Sequence, residues 1–319
     1  MLRTRLCELL GLDVPIILAP MGTCTSAELA AAVSNEGGLG GIGSLFRPTA
    51  AVKRDIDVVK KLTNRAFAIN HIPQCLDAEA FRYTLESRPR VISFTLGDPG
   101  DLVRQAHAVG ARVMLQVTTV AQAVQAAERA VDVIIAQGGE SGGYCGEVST
   151  MALVPQVVDA VSPIPVVASG GIFDGRGIAA ALMLGAVGVN LGTRFIASKE
   201  APGSEEWKQA ILHANSEDSI KVEVLNDISP VPGAVGFGTV LRSLRTPFLD
   251  EWSGKREEAR HDRLRDEILA THQAGRPHET LLTAGQTADG IKEILPVAEI
   301  MRRLVTETEA ALPRAEAFS

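Results

Sequence analysis

The chain has 319 residues, of which 46% are hydrophobic and only 4% aromatic, and its formal net charge is −7. That length allows one large domain or two small ones, and the dominance of Ala, Val, Leu, Ile and Gly suits parallel strands covered by helices rather than an all-β sandwich. The acidic balance gives no electrostatic case for nucleic acid or an anionic membrane, and no run approaches the ~18 apolar residues of a membrane span.

Short apolar runs alternate with helical patterns from the N-terminus onward. The predicted strands are Ile16–Ala19, Leu39–Gly41, Ala66–Asn70, Val91–Phe94, Val113–Val117, Val131–Ala136, Pro165–Ala168 and Gly188–Leu191. Between them, Ser26–Glu36, Thr49–Leu62, Asp77–Ser87, Gly100–Val109, Val120–Arg129, Thr150–Val161 and Gly175–Gly185 carry apolar residues at helical spacing. Eight strands with regular crossover helices in under 200 residues predict a (β/α)8 TIM barrel, with a doubly wound open sheet as the alternative. The pattern changes after Phe195. Ala201–Asn215 reads as a helix, Glu223–Gly238 is rich in Pro, Gly and Val, and Trp252–Gln273 reads as one densely charged, solvated helix. A final helix is expected over Ile291–Leu312. The division that follows is a barrel over 1–199 and 286–319, with 200–285 inserted as a mostly helical lid.

The four cysteines, Cys7, Cys24, Cys75 and Cys145, form no CxxC pair and no zinc spacing, so we read them as reduced thiols of a cytoplasmic protein. The N-terminal stretch is too short and polar for a signal peptide. No feature of the chain specifies an oligomeric state.

Three loops carry the chemistry. The first, AQGGESGGYCG over Ala136–Gly146, follows an apolar strand directly; its glycines let backbone approach a flat or charged ligand closely. The second is ASGGIFDGRG over Ala168–Gly177, and the third is GTRF over Gly192–Phe195. In a barrel these last two follow the seventh and eighth strands, where backbone amides bind phosphate. Ser169, Gly170, Gly171, Gly192 and Thr193 are therefore candidate phosphate ligands. Other strand ends supply Ala19-Pro20-Met21 and the amides Asn70, Gln116 and Gln137. A methionine offers a soft contact to a planar ring, and amides both donate and accept, as the edge of a flavin pyrimidine requires.

These motifs resemble the nitronate monooxygenase (2-nitropropane dioxygenase) family of FMN-dependent barrels, which is similar in turn to the FMN-dependent enoyl-acyl-carrier-protein reductases. The resemblance runs from about Pro15 to Leu312, through PIILAPMG, AAAVSNEGGLGGIG, FAIN, AQGGESGG, the long run ASGGIFDGRGIAAALMLGAVGVNLGTRF, and AGQ at Ala284–Gln286. It implies FMN contacts at Ala19, Pro20, Met21, Asn70, Gln116, Gln137, Gly142, Gly143, Ser169, Gly170, Gly171, Gly192 and Thr193. It also implies a histidine base after the paired glycines, and there this chain has Tyr144. Free His titrates near ~6.5 and free Tyr near ~10, so an unperturbed Tyr144 is a poor base at neutral pH. Tyr144 is read either as a proton donor or as an aromatic filler. His71 is a second candidate, as a replacement base or a loop hydrogen-bonder. Glu140 reads as a loop-holding carboxylate, and Cys24 and Cys145 as inert thiols.

Two enzymatic expectations follow. The first is FMN-dependent oxidation of nitronates by dioxygen, which needs no base because the substrate is already an anion. The second is NAD(P)H-dependent reduction or dehydrogenation of an activated C=C bond, with Tyr144 giving the proton. A non-redox barrel for a phosphorylated small molecule ranks below both. With no GxGxxG after an early strand, NAD(P)H would have to enter the same open mouth. Arg242 and Arg245 are expected to face solvent.

Overall fold

The computed structural model describes residues 2–228, 237–260 and 262–316. Eight of its strands are parallel: β1 (Ile16–Leu18), β2 (Gly40–Gly43), β3 (Phe67–His71), β4 (Val91–Phe94), β5 (Arg112–Val117), β6 (Val133–Gln137), β8 (Val166–Ser169) and β9 (Gly188–Leu191). The order is β1-β9-β8-β6-β5-β4-β3-β2, and a parallel bridge between Ile17 and Leu39 joins the two ends. This is the expected (β/α)8 barrel. Four of the seven crossover helices start where the N-cap side chain caps them: Ser26 accepts from Leu29 N, Asp77 from Ala80 N, Thr119 from Gln122 N and Asp174 from Gly177 N. Such caps satisfy amides that the first helical turn leaves unpaired.

The barrel strands alternate in the usual way. Ile16, Leu18, Ile42, Phe67, Ile69, Ile92, Phe94, Val113 and Leu115 pack outward against the helices. Ile17, Ala68, Val91, Met114, Val133, Ile135 and Val167 fill the lower interior. The N-terminal helix Arg5–Leu10 closes that end, burying Leu6, Cys7 and Leu10 completely. Full burial of a leucine contributes roughly 2 kcal/mol. The paired glycines of β2 have a steric cause: a Cβ at Gly40 would lie 2.0 Å from the carbonyl oxygen of Ala30. The helix Ala27–Asn35 sits that close to the strand.

The remaining strands were not foreseen. β7 (Gly143–Cys145), β10 (Ser219–Lys221) and β11 (Val240–Leu244) make a small antiparallel sheet, in the order β10-β11-β7, above the barrel mouth. The later helices also differ from expectation. The predicted Ala201–Asn215 helix is confined to Glu205–His213, because Pro202 and Gly203 keep its first residues out and Ser204 caps it. The charged stretch is two helices, Pro247–Trp252 and Asp262–Gln273, separated by turns. The last helix runs Val297–Glu316, starting after Pro296 and a short 3-10 turn at Gln286–Gly290. Residues 229–236 of the expected Pro-, Gly- and Val-rich segment lie outside the described residues. Among the described residues no helix is long and apolar enough to cross a membrane.

Strand parity corrects one expected site residue. His71 follows inward-facing Asn70 on β3, so its ring points out toward the helix Ala78–Ser87. There it is 1% exposed, its Nε2 lies 2.9 Å from Thr84 Oγ1, and it meets the Phe81 ring edge-on. Burial pulls its pKa down to about 4, against a smaller opposing effect of Asp77. An imidazole held neutral in the helix layer cannot serve as a base in the barrel mouth.

Two outcomes follow. Gly40→Ala should lower the unfolding free energy by about 3 kcal/mol or more, since the backbone on both sides would have to move; urea titration measures it. For His71 the folded pKa lies below the unfolded value, so its contribution is full above about 6.5 and is lost as pH falls toward 4. Between pH 7 and pH 5 the loss should be about 2 kcal/mol, and His71→Asn should flatten that part of the stability curve.

Candidate active site

At the open end of the barrel the inward residues turn polar. Asn70, Ser93, Gln116, Gln137, Ser169 and Asn190 come from six successive strands of the sheet and sit just above the apolar interior. They pair among themselves: Asn70 Nδ2 donates to Ser93 Oγ at 3.1 Å, Gln116 Nε2 to Gln137 Oε1 at 3.0 Å, and Asn190 Nδ2 to Ser169 Oγ at 3.2 Å. Ser169 Oγ donates to the Asn190 carbonyl at 3.0 Å. The buried Oδ1 of Asn190 has no partner. This floor offers both donors and acceptors to a polar ring edge.

Above the floor lies a cavity of about 460 Å³, within the range of small-molecule and cofactor sites. Ala19, Pro20, Met21, Asn70, Gln116, Gln137, Gly142, Gly143, Tyr144, Ser169, Gly170, Gly171, Gly192 and Thr193 all line it; His71 does not. Gly170 and Gly171 adopt φ of +95° and +70°, the left-handed region where glycine is favoured. Among the described residues their amides, with that of Thr193, carry no protein acceptor. A Cβ at Gly192 would approach Met21 Sδ to 3.2 Å. Open amides beside close-packed glycines are the donor set of a phosphate cradle.

The glycine-rich loop after β6 is clamped from three directions. Glu140 accepts from Thr150 N at 2.9 Å, and the Thr150 hydroxyl lies 2.9 Å from Glu140 Oε2 and 3.0 Å from the Gly170 carbonyl. Glu140 is thus a loop anchor. Arg242, which we expected in solvent, is 7% exposed, and its Nε and Nη2 donate to Gly139 O at 3.1 and 2.9 Å. Its other nitrogen donates to Ser219 O. A desolvated guanidinium is tolerable there because backbone carbonyls take its hydrogens. Arg245 instead meets Asp250 at the surface. The third clamp is the distant Ala284–Gln286: Gln286 N donates to Glu140 O at 2.9 Å, and Gly285 N to Thr193 Oγ1 at 2.9 Å. A Cβ on Gly142 would come within 2.6 Å of the Ala284 carbonyl carbon.

Tyr144 sits on β7 opposite Leu241, so parity turns it to the cavity and turns Cys145 the other way, toward the carbonyls of Gly139 and Val240. Tyr144 is 8% exposed and packs with Ile72, Leu96, Leu225, Leu241 and Ile268. Burial, and to a lesser degree Cys75, raises its pKa well above the ordinary value of 10. Among the described residues its hydroxyl has no hydrogen-bond partner. Burial also holds the Cys24 thiol up at about 12, and pushes that of Cys145 up.

Sequence reasoning missed much of the upper wall. The helix Asp262–Gln273 turns Arg265, Ile268, Leu269 and His272 to the cavity. That spacing of three and four residues is a single helix face, so the expectation of a wholly solvated helix fails on that side. His272 Nε2 lies 3.0 Å from the Leu281 carbonyl, its ring meets Trp207 edge-on at 6.0 Å, and burial lowers its pKa. Phe46 and Leu96, both lining the cavity, hold φ of 58° and 57°. Backbone strain of this kind in residues with side chains gathers at ligand sites. Among the described residues, the side chains lining the cavity include no Asp or Glu.

Comparison with known proteins agrees with this geometry. The family model described as nitronate monooxygenase matches residues 3–83 and 77–307. A Mycobacterium tuberculosis protein named (3aS,4S,5R,7aS)-5-hydroxy-7a-methyl-1-oxo-octahydro-1H-indene-4-carboxyl-CoA dehydrogenase is 34% identical over 258 residues, covering 76% of this chain and 73% of that protein. A probable nitronate monooxygenase of Staphylococcus aureus is 30% identical over 298 residues, covering 79% of this chain and 81% of its own. The solved structure of FabK from Thermotoga maritima superposes with a TM-score of 0.89 at 31% identity, and covers 100% of both chains. With a family-model match over most of its length and a barrel fold shared with its relatives, this chain belongs to the nitronate monooxygenase family of oxidoreductases.

Proposed function

We propose that the protein binds FMN in this cavity and reduces or dehydrogenates an activated C=C bond of an apolar, acyl-type substrate, with NAD(P)H as the other redox partner in the reductive direction. One observation carries the reading: among the described residues the cavity wall has no carboxylate, and its one phenol, Tyr144, is desolvated, protonated and set in an apolar wall. In the assignment of roles, the amides of Gly170, Gly171 and Thr193 hold the FMN phosphate. Gln116, Gln137 and Asn70 meet the polar edge of the flavin, and Ala19-Pro20-Met21, Gly142, Gly143, Ser169 and Gly192 close around it. When bound, FMN supplies hydride chemistry. The Tyr144 hydroxyl gives a proton to the carbon next to the activating carbonyl, and the resulting phenolate takes its proton back from water that enters as the product leaves. Ile72, Leu96, Leu225, Leu241 and Ile268 keep water from the phenol. The relative named as a carboxyl-CoA dehydrogenase supports an acyl thioester as the substrate class.

The second reading, oxidation of nitronates by dioxygen, is favoured by the family model and by the curated relative of that name. It requires no protein base, and the wall provides no carboxylate to act as one. It predicts turnover of nitronates with little of neutral nitroalkanes. Residues 200–285 add Leu225, Leu241, Ile268, Leu269 and Leu281 to the cavity lining, an apolar surface that suits an acyl arm, which is why we rank the nitronate reading second. We take that segment as a lid on the barrel.

The purified protein should be yellow. Anaerobic mixing with NADPH, NADH and a nitronate in turn separates the readings: fast bleaching by a pyridine nucleotide supports the reductase, and bleaching by nitronate alone overturns it. Tyr144→Phe should keep flavin reduction by NAD(P)H and slow substrate reduction by about 10²-fold or more; an unchanged rate removes the proton-donor role. The raised pKa also has a sign. Tyr144 stays protonated through pH 10, so the wild-type rate should show no loss from phenol ionisation between pH 7 and pH 9.5.

A further inference from the structure

Resting on the proposed function, we infer that the cavity-facing side of the helix Asp262–Gln273 is the recognition wall for a phosphate-bearing molecule of the proposed reaction, with Arg265 as the anchor for its phosphate. Three observations converge. Arg265, Ile268, Leu269 and His272 form one face of that helix and line the cavity. Among the described residues Arg265 is the sole Lys or Arg that lines the cavity, and no carboxylate lines it. Among the described residues Arg265 has no acidic partner, unlike Arg256 and Arg260 just before it, which both pair with Asp227.

The chemistry of the mouth is therefore polarised. Phe46 at 51% and Leu269 at 37% exposure are large apolar side chains left open to solvent on the cavity lining, and exposed apolar surface beside a concavity marks a contact site. Next to them stands one unpaired guanidinium. A molecule with an apolar arm and a phosphate at its far end matches this layout: the arm runs over Leu269 and Ile268 toward Tyr144, and the phosphate stays at the rim on Arg265. The phosphate of FMN has its own cradle at Gly170, Gly171 and Thr193, so Arg265 is free for the second molecule. Two molecules of the proposed reaction carry such a phosphate, the pyridine dinucleotide and a coenzyme A thioester. A guanidinium at a half-open rim binds either one with strong dependence on salt.

The test separates the two. Dissociation constants are read from the perturbation of flavin absorbance, without turnover, for crotonyl-coenzyme A, for crotonyl-N-acetylcysteamine (which lacks phosphate) and for NADP+, which cannot reduce the flavin and stands in for NADPH. Arg265→Ala should weaken one phosphate-bearing ligand about tenfold, leave the phosphate-free thioester unchanged, and raise KM for that ligand with little change in kcat. Arg265→Lys should restore part of the affinity. A loss confined to crotonyl-coenzyme A assigns the anchor to the acyl substrate, and a loss confined to NADP+ assigns it to the electron donor. Unchanged binding of both in Arg265→Ala overturns the inference while the proposed function stands. Absence of any thioester reduction by the wild type, with affinity still dependent on Arg265, overturns the proposed function and leaves the anchor.

Discussion

Strand parity is the constraint on which the rest of this structure depends. In a closed parallel barrel every second residue must face inward, and the interior is too narrow to leave a side chain undecided. The lower inward positions are apolar and are sealed by Leu6 and Leu10. One step up, six strands present Asn70, Ser93, Gln116, Gln137, Ser169 and Asn190, and unpaired polar groups there would each cost of order 1–3 kcal/mol. Their mutual hydrogen bonds remove most of that cost and fix the orientation of the amides. The floor is thus set in place before any ligand arrives. The same rule excludes His71 and, in the small sheet, admits Tyr144 while excluding Cys145.

The barrel alone does not hold the glycine loop. A chain with glycines at 138, 139, 142, 143 and 146 has high conformational freedom, and a loose loop would position nothing. Here residues far away in sequence remove that freedom. Arg242 and Gln286 reach the loop from the segment after β9, and Thr150 ties Glu140 to the Gly170 loop. The loops after three barrel strands are consequently coupled to the segment after β9 through short stretches of backbone at Gly139, Glu140 and Thr193.

Most of the barrel was legible because each strand is an apolar run ending at a turn, and each following helix has its own apolar period. The lining of the site was legible for a related reason: glycines and amides at strand ends have few other uses. His71 misled because adjacency to Asn70 suggests proximity, whereas neighbours on a strand face opposite ways. The antiparallel sheet left no signal, since its strands are three to five residues long and one of them lies inside a glycine-rich loop. Arg242 read as a solvent residue because burial of a guanidinium depends on carbonyls brought in from Gly139 and Ser219, which no local pattern reveals. The helix Asp262–Gln273 read as solvated because only a narrow stripe of it is turned inward, and its charges elsewhere outweigh that stripe.

The substitution of tyrosine for the histidine of the family pattern takes its meaning from this setting. In water a phenol and an imidazole differ by about 3.5 pKa units. In the apolar wall around Tyr144 the gap widens, because desolvation disfavours phenolate and disfavours imidazolium in opposite directions. The residue is therefore fixed as an acid and only toward a strong base. A carbon that has gained electron density beside a thioester carbonyl is such a base; a nitronate oxygen is a far weaker one. Under the proposed reduction, Tyr144 would complete the addition of hydrogen across a double bond toward the first, and toward the second it would leave the anion unprotonated and open to oxidation. Among the described residues no carboxylate lines the cavity to compete for the proton or repel an anionic substrate. On that proposal, the residue at position 144 separates abstraction of a proton from donation of one, and a desolvated phenol suits only the second.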